Sequence, residues 1–186
     1  VAKSHTRIGT AGWALPASVR AIFSGDGSNL EKYARILDAV EINSSFYREH
    51  SAATYERWAR STPRDFRFSV KLSRFFTQES GLRETGDALK ASIEAYSKLG
   101  EKWGVLLVQL PPKLEFEKLV ARRFFRELAI LSDVQVVVEP RHVSWGSDSA
   151  LELMEELGLA KARAHPERVP VAPAKRSRVE PIVYYR

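Results

Sequence analysis

Acidic, basic and amide side chains follow several short apolar runs in this sequence, and together they could bind an anion or transfer protons. In the stretch 40–47, Glu41 and Asn43 alternate with Val40 and Ile42, as on a strand that has one apolar face. Burying a carboxylate or an amide among apolar side chains without a partner costs about 1–3 kcal/mol. We therefore expect both groups to point into a cleft.

Later apolar runs make the same switch to polar residues at their carboxyl ends. The run 66–70 leads to Lys71, the run 104–108 leads to Gln109, and the run 134–138 leads to Glu139 and Arg141. The carboxyl ends of parallel strands meet on one face, where binding sites form. The residues expected around this mouth are Thr10, Glu41, Asn43, Lys71, Gln109, Glu139 and Arg141, with Trp13, Tyr47 and His142 at its rim.

Two interpretations of these charged groups stay open. In the first, Glu41 and Glu139 act as acid and base, or as oxygen ligands of a divalent metal with His142 as a third ligand. Lys71 beside Arg141 would then hold a phosphate or a carboxylate. In the second, the two glutamates pair with Lys71 and Arg141 as a structural ion network.

For the remaining polar and aromatic candidates, a structural role is as open as a ligand-binding role. Asn43 and Gln109 could orient a ligand through their amides, whereas a histidine after a strand, such as His142, is often a hydrogen-bonded loop residue. Aromatic side chains near the strand ends could stack on a base or a sugar ring, or could serve only in packing. These aromatic residues are Trp13, Phe46, Tyr47 and Trp145. No spacing of serine, histidine and acid suggests a hydrolase triad.

The elements that would position these residues alternate between strands and helices, which is typical of a parallel α/β domain. Seven strands are predicted, at 7–13, 40–43, 66–71, 104–110, 134–139, 159–164 and 182–185. Helices are predicted at 30–37, 51–62, 87–99, 116–131 and 148–157, and a polar loop at 75–86. No glycine-rich phosphate loop follows the first strand, so a TIM-barrel-like (β/α) barrel, one strand short of eight, is favoured over a dinucleotide fold.

Length and composition indicate one globular domain over residues 1–186. The chain is 44% hydrophobic and 28% charged, and it has no cysteine, which excludes disulfides and thiolate metal sites. No apolar run reaches the roughly 18 residues that a membrane span needs, and the first residues lack the apolar core of a signal peptide. We therefore expect a cytoplasmic protein with no membrane partner.

The net charge of +6 is concentrated near the end of the chain. Residues 158–186 carry seven basic and two acidic residues, and 165–181 is predicted to be a basic loop rich in proline and arginine. Such a segment can attract the phosphate backbone of a nucleic acid, although it is more often a solvated loop.

Five segments in order also resemble the signatures of the YecE-like family, domain of unknown function 72. They are Ile8–Trp13, Val40–Tyr47, Phe66–Lys71, Leu107–Pro112 and Val138–Trp145. The resemblance implies a TIM-barrel-like fold, whereas the biochemical role of that family is not established. The segment Val183–Arg186 resembles the start of a later family motif, which adds Arg186 to the ligand-binding candidates.

The sequence also departs from the family pattern. The family often has an acidic residue after its sixth strand, where this chain has Ala164-His165-Pro166, and the family continues with a closing strand and helix beyond the position of Arg186. We expect either a shortened barrel whose open edge is covered by a second copy or by a loop, or a fragment of a longer barrel.

The functional expectation is an enzyme of unassigned reaction whose site lies at the barrel mouth and binds an anionic, phosphorylated or nucleotide-like ligand. The cofactor is unknown, with a divalent metal at Glu41 and Glu139 as one option. The alternative is a non-catalytic protein that binds nucleic acid or another ligand through the aromatic rim and the basic tail.

Overall fold

A computed structural model of the chain describes residues 5–169 and 182–186. Five parallel strands form one sheet in the order in which they occur along the chain. The strands are β1 (Ala39–Ile42), β2 (Arg67–Lys71), β3 (Trp103–Gln109), β4 (Gln135–Glu139) and β5 (Ala160–Lys161). This is an α/β fold.

Helices precede β1 and connect each strand to the next. They are α1 (Asn29–Tyr33), α2 (Ala52–Arg60), α3 (Asp87–Tyr96), α4 (Lys118–Leu131) and α5 (Asp148–Glu156). Shorter helical turns are 3₁₀ at Ser44–Phe46, Ser97–Lys102 and Val143–Gly146, and π at Phe75–Glu79. None of the helices in the described part of the chain is long and apolar enough to cross a membrane.

Local chemistry explains where two of the helices begin. Ser28 and Glu31 form a capping box at the start of α1, because each side chain bonds a backbone N–H of the other residue. Ser147 accepts a hydrogen bond from the backbone of Ala150 and caps α5.

The two faces of the sheet are built differently. Even-numbered strand residues such as Ile42, Val70 and Val138 are buried in a large apolar core that includes side chains from all five helices. On the opposite face, odd-numbered residues of β3 and β4 form a small second cluster together with Ala160 and Ala162, and Ile182 and Tyr184 pack on it. The members of that cluster are Val105, Leu107, Val137, Ala160 and Ala162. We call this opposite face the inner face.

The predicted first and last strands are wrong as strands, since each is reduced to an isolated parallel bridge. Ala11 bridges to Glu41, and Arg163 bridges to Tyr185. These segments still run beside the sheet: a Cβ on Gly9 would overlap with the carbonyl of Ala39, so only glycine allows this approach. In the described residues, the backbone hydrogen bonds of each segment to its neighbour are confined to a few positions, Thr10 and Gly12 with Glu41, and Tyr184 and Arg186 with 163–165.

Other boundaries also differ from those predicted. Helix α1 ends at Tyr33 rather than at residue 37, α4 begins at Lys118, and β5 has only two residues. The predicted loop at 75–86 contains the π-helical turn. The sheet is not closed over the described ranges. Most of the predicted basic loop at 165–181 lies outside the described residues.

Candidate functional site

Four polar side chains lie buried at the carboxyl ends of the inner face. Glu41 is the last residue but one of β1, whereas Lys71 ends β2, Gln109 ends β3 and Glu139 ends β4, and each residue is at most 6% exposed. Strand register brings them together, because Gln109 pairs with Glu139 and Glu41 pairs with Ser69, two residues before Lys71. The prediction that these strand ends converge is thus matched by the register of the sheet.

Glu139 is held by donors from three directions. Nε2 of Gln109 lies 2.9 and 3.0 Å from its two carboxylate oxygens. Nε of Arg141 donates to Oε1 at 2.9 Å, the Nη2 of Arg141 forms an ion pair with the same oxygen at 2.9 Å, and Nη1 of Arg186 donates to Oε2 at 3.3 Å. Hydrogen bonds to charged groups are the strong ones, so Glu139 is a well-satisfied buried anion.

Glu41 is bound mainly by Arg186. Nε of Arg186 donates to Oε2 and Nη2 donates to Oε1, both at 3.0 Å, which is the two-pronged geometry that a guanidinium forms with a carboxylate. These hydrogen bonds raise the pKa of Arg186. The hydroxyl of Tyr184 also donates to Oε2 at 3.1 Å, and it bonds the hydroxyl of Ser69 at 2.9 Å.

Lys71 differs from these groups in what surrounds its charge. It is 4% exposed, and its Nζ lies 3.9 Å from the centre of the Phe46 ring. Within residues 5–169 and 182–186, no hydrogen bond or ion pair reaches this nitrogen. Burial and the nearby charge of Arg186 lower the pKa of Lys71 to about 8, although Glu41 and Glu139 oppose the shift.

The cluster as a whole carries an excess positive charge. Lys71, Arg141 and Arg186 supply three cations, whereas Glu41 and Glu139 supply two anions. Both anions are already engaged by the two guanidinium groups. A bound anion would therefore balance the charge of Lys71, and this arrangement differs from a closed structural ion network.

Other predicted site residues make their bonds elsewhere. The hydroxyl of Thr10 donates to the carbonyl of Gly12 and bonds the Tyr33 hydroxyl, which also accepts from the Thr10 N–H. Trp13 packs edge-on against Trp58 on α2, with the ring centres 5.0 Å apart. Tyr47 is exposed and packs against Phe46, the residue whose ring lies under Lys71.

The predicted residues just after β1 and β4 lie at or in the 3₁₀ turns that follow these strands. Asn43 precedes the first 3₁₀ turn, and its side-chain oxygen is buried with no hydrogen-bond partner among the described residues. His142 accepts a hydrogen bond from the backbone of Ser144 through Nδ1 and bonds the Ser144 hydroxyl at 2.8 Å. Trp145 is buried and donates to the carbonyl of Leu114, so its ring is part of the core rather than a stacking surface.

The three-ligand metal site that the sequence suggested is not assembled. Among the residues that the structure describes, no three histidine, aspartate or glutamate side chains lie close enough together to hold a metal ion. The oxygens of Glu41 and Glu139 face arginine donors, and His142 bonds Ser144 instead. The donor set therefore fits an ion-pair cluster better than a metal centre.

Two contributors to the cluster were missing from the predicted set. They are Tyr184 and Ser69, which complete the hydrogen bonds around Glu41. A usable signal was present, because Tyr184 and Arg186 have the same parity in an extended segment and Ser69 has the parity of Lys71. Contacts between residues 41 and 184 are otherwise too distant in sequence to predict from spacing.

Comparison with known proteins agrees with this arrangement of strands. The profile of the family described as "Protein of unknown function DUF72" matches residues 7–186. The chain belongs to the DUF72 family. Its relatives include the UPF0759 protein YunF of Bacillus subtilis, which is 28% identical over 149 residues, and the UPF0759 protein YecE of Escherichia coli K12, which is 29% identical over 135 residues.

These alignments cover 75% and 73% of this DUF72 chain but 52% and 48% of the two relatives, so the chain spans about half the length of the curated relatives it matches. Two solved DUF72 structures are similar in fold over 90% of the chain. The protein from Enterococcus faecalis V583 has a TM-score of 0.67 at 18% identity over 66% of its own length, and that from Thermotoga maritima a TM-score of 0.64 at 21% identity over 69%.

Proposed function

We propose that this DUF72 chain forms a TIM-barrel-like domain and that the cluster around Lys71 is an active site for an anionic ligand. The curvature of the sheet supports the barrel-like arrangement. One guanidinium, that of Arg186, bonds both Glu41 on β1 and Glu139 on β4. These strands are three positions apart, or about 14 Å in a flat sheet, so their inner faces must curl toward each other.

The unpaired charge of Lys71 is the observation that carries the ligand proposal. A buried ammonium without a partner is costly, and it is retained where an incoming group will neutralise it. Arg141 adds a second donor surface, because its side chain is 32% exposed and its Nη1 has no hydrogen bond within the described ranges. A phosphate or carboxylate between these cations would complete the charge balance.

The two glutamates have different roles in this proposal. Glu139 is saturated by Gln109, Arg141 and Arg186, so it acts as an anchor that holds the arginines in position. Glu41 keeps acceptor capacity on Oε1, which receives only the bond from Arg186. Glu41 is therefore the better carrier of a proton during a reaction, and this assignment makes the site an enzyme site rather than a passive anion site.

Titration with inorganic phosphate tests the anion site. We expect saturable binding by calorimetry at pH 7, and an affinity at least tenfold lower for Lys71→Met, since losing one charge-assisted contact costs about 1.5–3 kcal/mol. Binding should also weaken as the pH rises through the pKa of Lys71, about 8, because the amine then loses its charge. The exposed Lys90→Met variant is the matched control.

Two outcomes would overturn this proposal. Equal phosphate affinity in the wild type and in Lys71→Met would place the anion elsewhere. Loss of binding after deletion of 166–178, with Lys71 intact, would favour the basic loop and a nucleic-acid partner, and the affinity for a single-stranded oligonucleotide should then fall steeply with salt.

A second copy of the chain is a further proposed partner, over the sheet edge formed by 182–186. Val183 and Tyr185 are both exposed on this edge, 46% and 72% respectively. Such an edge promotes pairing unless something covers it. Light scattering of the purified chain should give the mass of a dimer, whereas a monomer at all concentrations would rule this partner out.

A further inference from the structure

We propose that Lys71 is a nucleophilic amine that forms an imine with an anionic carbonyl compound, such as a 2-oxo acid. This inference rests on the proposed anion site and adds the reaction class and the substrate class. It follows from the geometry of one side chain, compared with two partly buried lysines of the described residues, Lys102 and Lys161.

Lys102 and Lys161 are bound through their ammonium groups. Nζ of Lys102 donates to the carbonyls of Ala59 and Thr62 at 2.5 and 2.6 Å. Nζ of Lys161 donates to the carbonyl of Val169 and to Glu167. Lys71 has only the face of Phe46 beneath it, so its nitrogen is not held by any acceptor in the described residues and can turn toward a carbonyl carbon.

A nucleophilic lysine must also be available as the free amine, and the surroundings of Lys71 favour that form. Apolar burial and the charges of Arg186 and Arg141 lower its pKa, against the opposing effect of Glu41 and Glu139. Because the pKa falls from 10.5 to about 8, the fraction of free amine at pH 7 rises by a factor of about 300 relative to an ordinary lysine.

The covalent step balances without an external reagent. The free amine of Lys71 forms an N–C bond as the carbonyl π electrons move to oxygen, and a proton passes from nitrogen to that oxygen. The resulting carbinolamine loses its hydroxyl as water, and the nitrogen lone pair forms the C=N bond. If Lys71 starts as the ammonium, Glu41 first takes its proton and later returns that proton to the departing hydroxyl. One ammonium and one carbonyl therefore yield one iminium and one water.

The arginines define which carbonyl compounds fit. The Arg141 guanidinium keeps Nη1 without a partner in the described chain, and it lies close enough to Lys71 to influence its charge. A carboxylate or phosphate bound there would place an adjacent carbonyl toward Lys71. The side chains of Arg141 and Arg186 are 32% and 24% exposed, so the cluster meets solvent on the side of these arginines.

Reductive trapping tests the imine directly. The chain is incubated with pyruvate at pH 8, quenched with borohydride, and analysed by intact mass and peptide mapping. We expect one reduced pyruvyl group on the peptide that contains Lys71, formed at least tenfold faster than on any other lysine, given the factor of about 300 in free amine. Acetone, which has a carbonyl but no charge, should label Lys71 at a much lower rate.

Variants separate the nucleophile from its surroundings. Lys71→Arg and Lys71→Met both remove the primary amine, and either one that keeps the wild-type circular dichroism spectrum should lose the adduct, whereas Lys90→Arg should keep it. Labelling spread over surface lysines, unchanged in a folded Lys71 variant, would overturn the imine proposal. Phosphate binding that depends on Lys71 without any adduct would overturn the covalent step and leave the anion site intact.

Discussion

The two faces of the sheet are covered in different ways: the outer face, which is the one opposite the inner face, by apolar packing, and the inner face largely by paired charges. The outer face, with Val138 and its neighbours, excludes water by packing apolar side chains against five helices. The inner face has only a small apolar layer, capped by a charged cluster in which Glu139 is buried while Arg141 and Arg186 are partly exposed. The outer face is therefore stable without specific partners, whereas the inner face is stable only while every charge but one is paired.

This difference separates residues that maintain the fold from residues available for function. Buried ion pairs rarely stabilise a protein more than apolar packing would, so a charged inner face is weak evidence for stability. A bound ligand better explains why charged residues are kept on the inner face beside an unpaired lysine. Substitutions that act on the two faces separately should reveal the contrast.

The largest effect is expected at Glu139. Glu139→Gln removes the charge that engages Arg141 and Arg186, and it leaves the buried Lys71 and the two partly exposed arginines with one anion. Breaking a buried pair in this way should lower the free energy of unfolding by about 3–5 kcal/mol. Val138→Ala, one residue away on the outer face, should cost only about 2 kcal/mol through lost burial and a small cavity.

Urea denaturation of both variants checks this order. A Glu139→Gln variant as stable as the wild type would mean that the arginines find other partners, and the inner face would then not depend on pairing. A rescue of stability by chloride or phosphate would instead support the paired-charge account.

The next largest effect should have the opposite sign. Lys71→Met removes an unpaired buried charge, and the shift of the Lys71 pKa from 10.5 to about 8 corresponds to about 3 kcal/mol of destabilisation in the wild type. The variant should therefore be more stable at pH 7 by about 2–3 kcal/mol, after allowing for the lost contact with Phe46.

The pH dependence gives a second check on Lys71. Between pH 8 and 10.5 the unfolded chain still binds a proton at Lys71 while the folded chain has lost it, so wild-type stability should rise with pH across this window. The variant lacks that rise, and the two should converge near pH 10.5. Wild-type stability that does not change across this window would contradict an unpaired, desolvated lysine.

A smaller loss is expected at Tyr184, where the inner face is completed by the segment 182–186. Tyr184→Phe removes the hydroxyl that bonds Glu41 and Ser69. One of these is a hydrogen bond to a charged group, so the loss should be about 2 kcal/mol. Thermal unfolding of the variant, with Tyr47→Phe as an exposed control, measures the loss. Equal melting temperatures of wild type and Tyr184→Phe would show that this segment does not support the cluster.

The alternation of side chains was enough to predict the inner face of the sheet. Glu41, Lys71, Gln109 and Glu139 fall on one face because the strand period is two, and parallel strands place their carboxyl ends together. The pairing pattern could not be predicted in the same way. Arg186 reaches Glu41 across 145 residues, and no local rule fixes that contact.

Local hydrogen bonds explain where several rim predictions differ from the structure. The Thr10 hydroxyl bonds the carbonyl of Gly12, and the Nδ1 of His142 bonds the backbone N–H of Ser144. Each side chain therefore bonds a nearby backbone group rather than a distant ligand. Trp13 packs edge-on against Trp58 on α2, because this packing removes more apolar surface from water than a position at the rim would. The choice among such contacts depends on tertiary distances that spacing does not contain.

The smallest expected change in the free energy of unfolding is at Tyr55, which we compare with a second buried tyrosine, Tyr33. Tyr55 on α2 is fully buried in the outer core, and its hydroxyl has no hydrogen-bond partner among the described residues. Because burial without a partner is unfavourable, Tyr55→Phe should leave the free energy of unfolding unchanged or raise it by up to about 1 kcal/mol. Tyr33→Phe is the contrast, since the Tyr33 hydroxyl bonds Thr10 and the carbonyl of Ala39. If Tyr55→Phe costs as much as Tyr33→Phe, the outer face too depends on a polar partner, and the distinction between the two faces fails at that position.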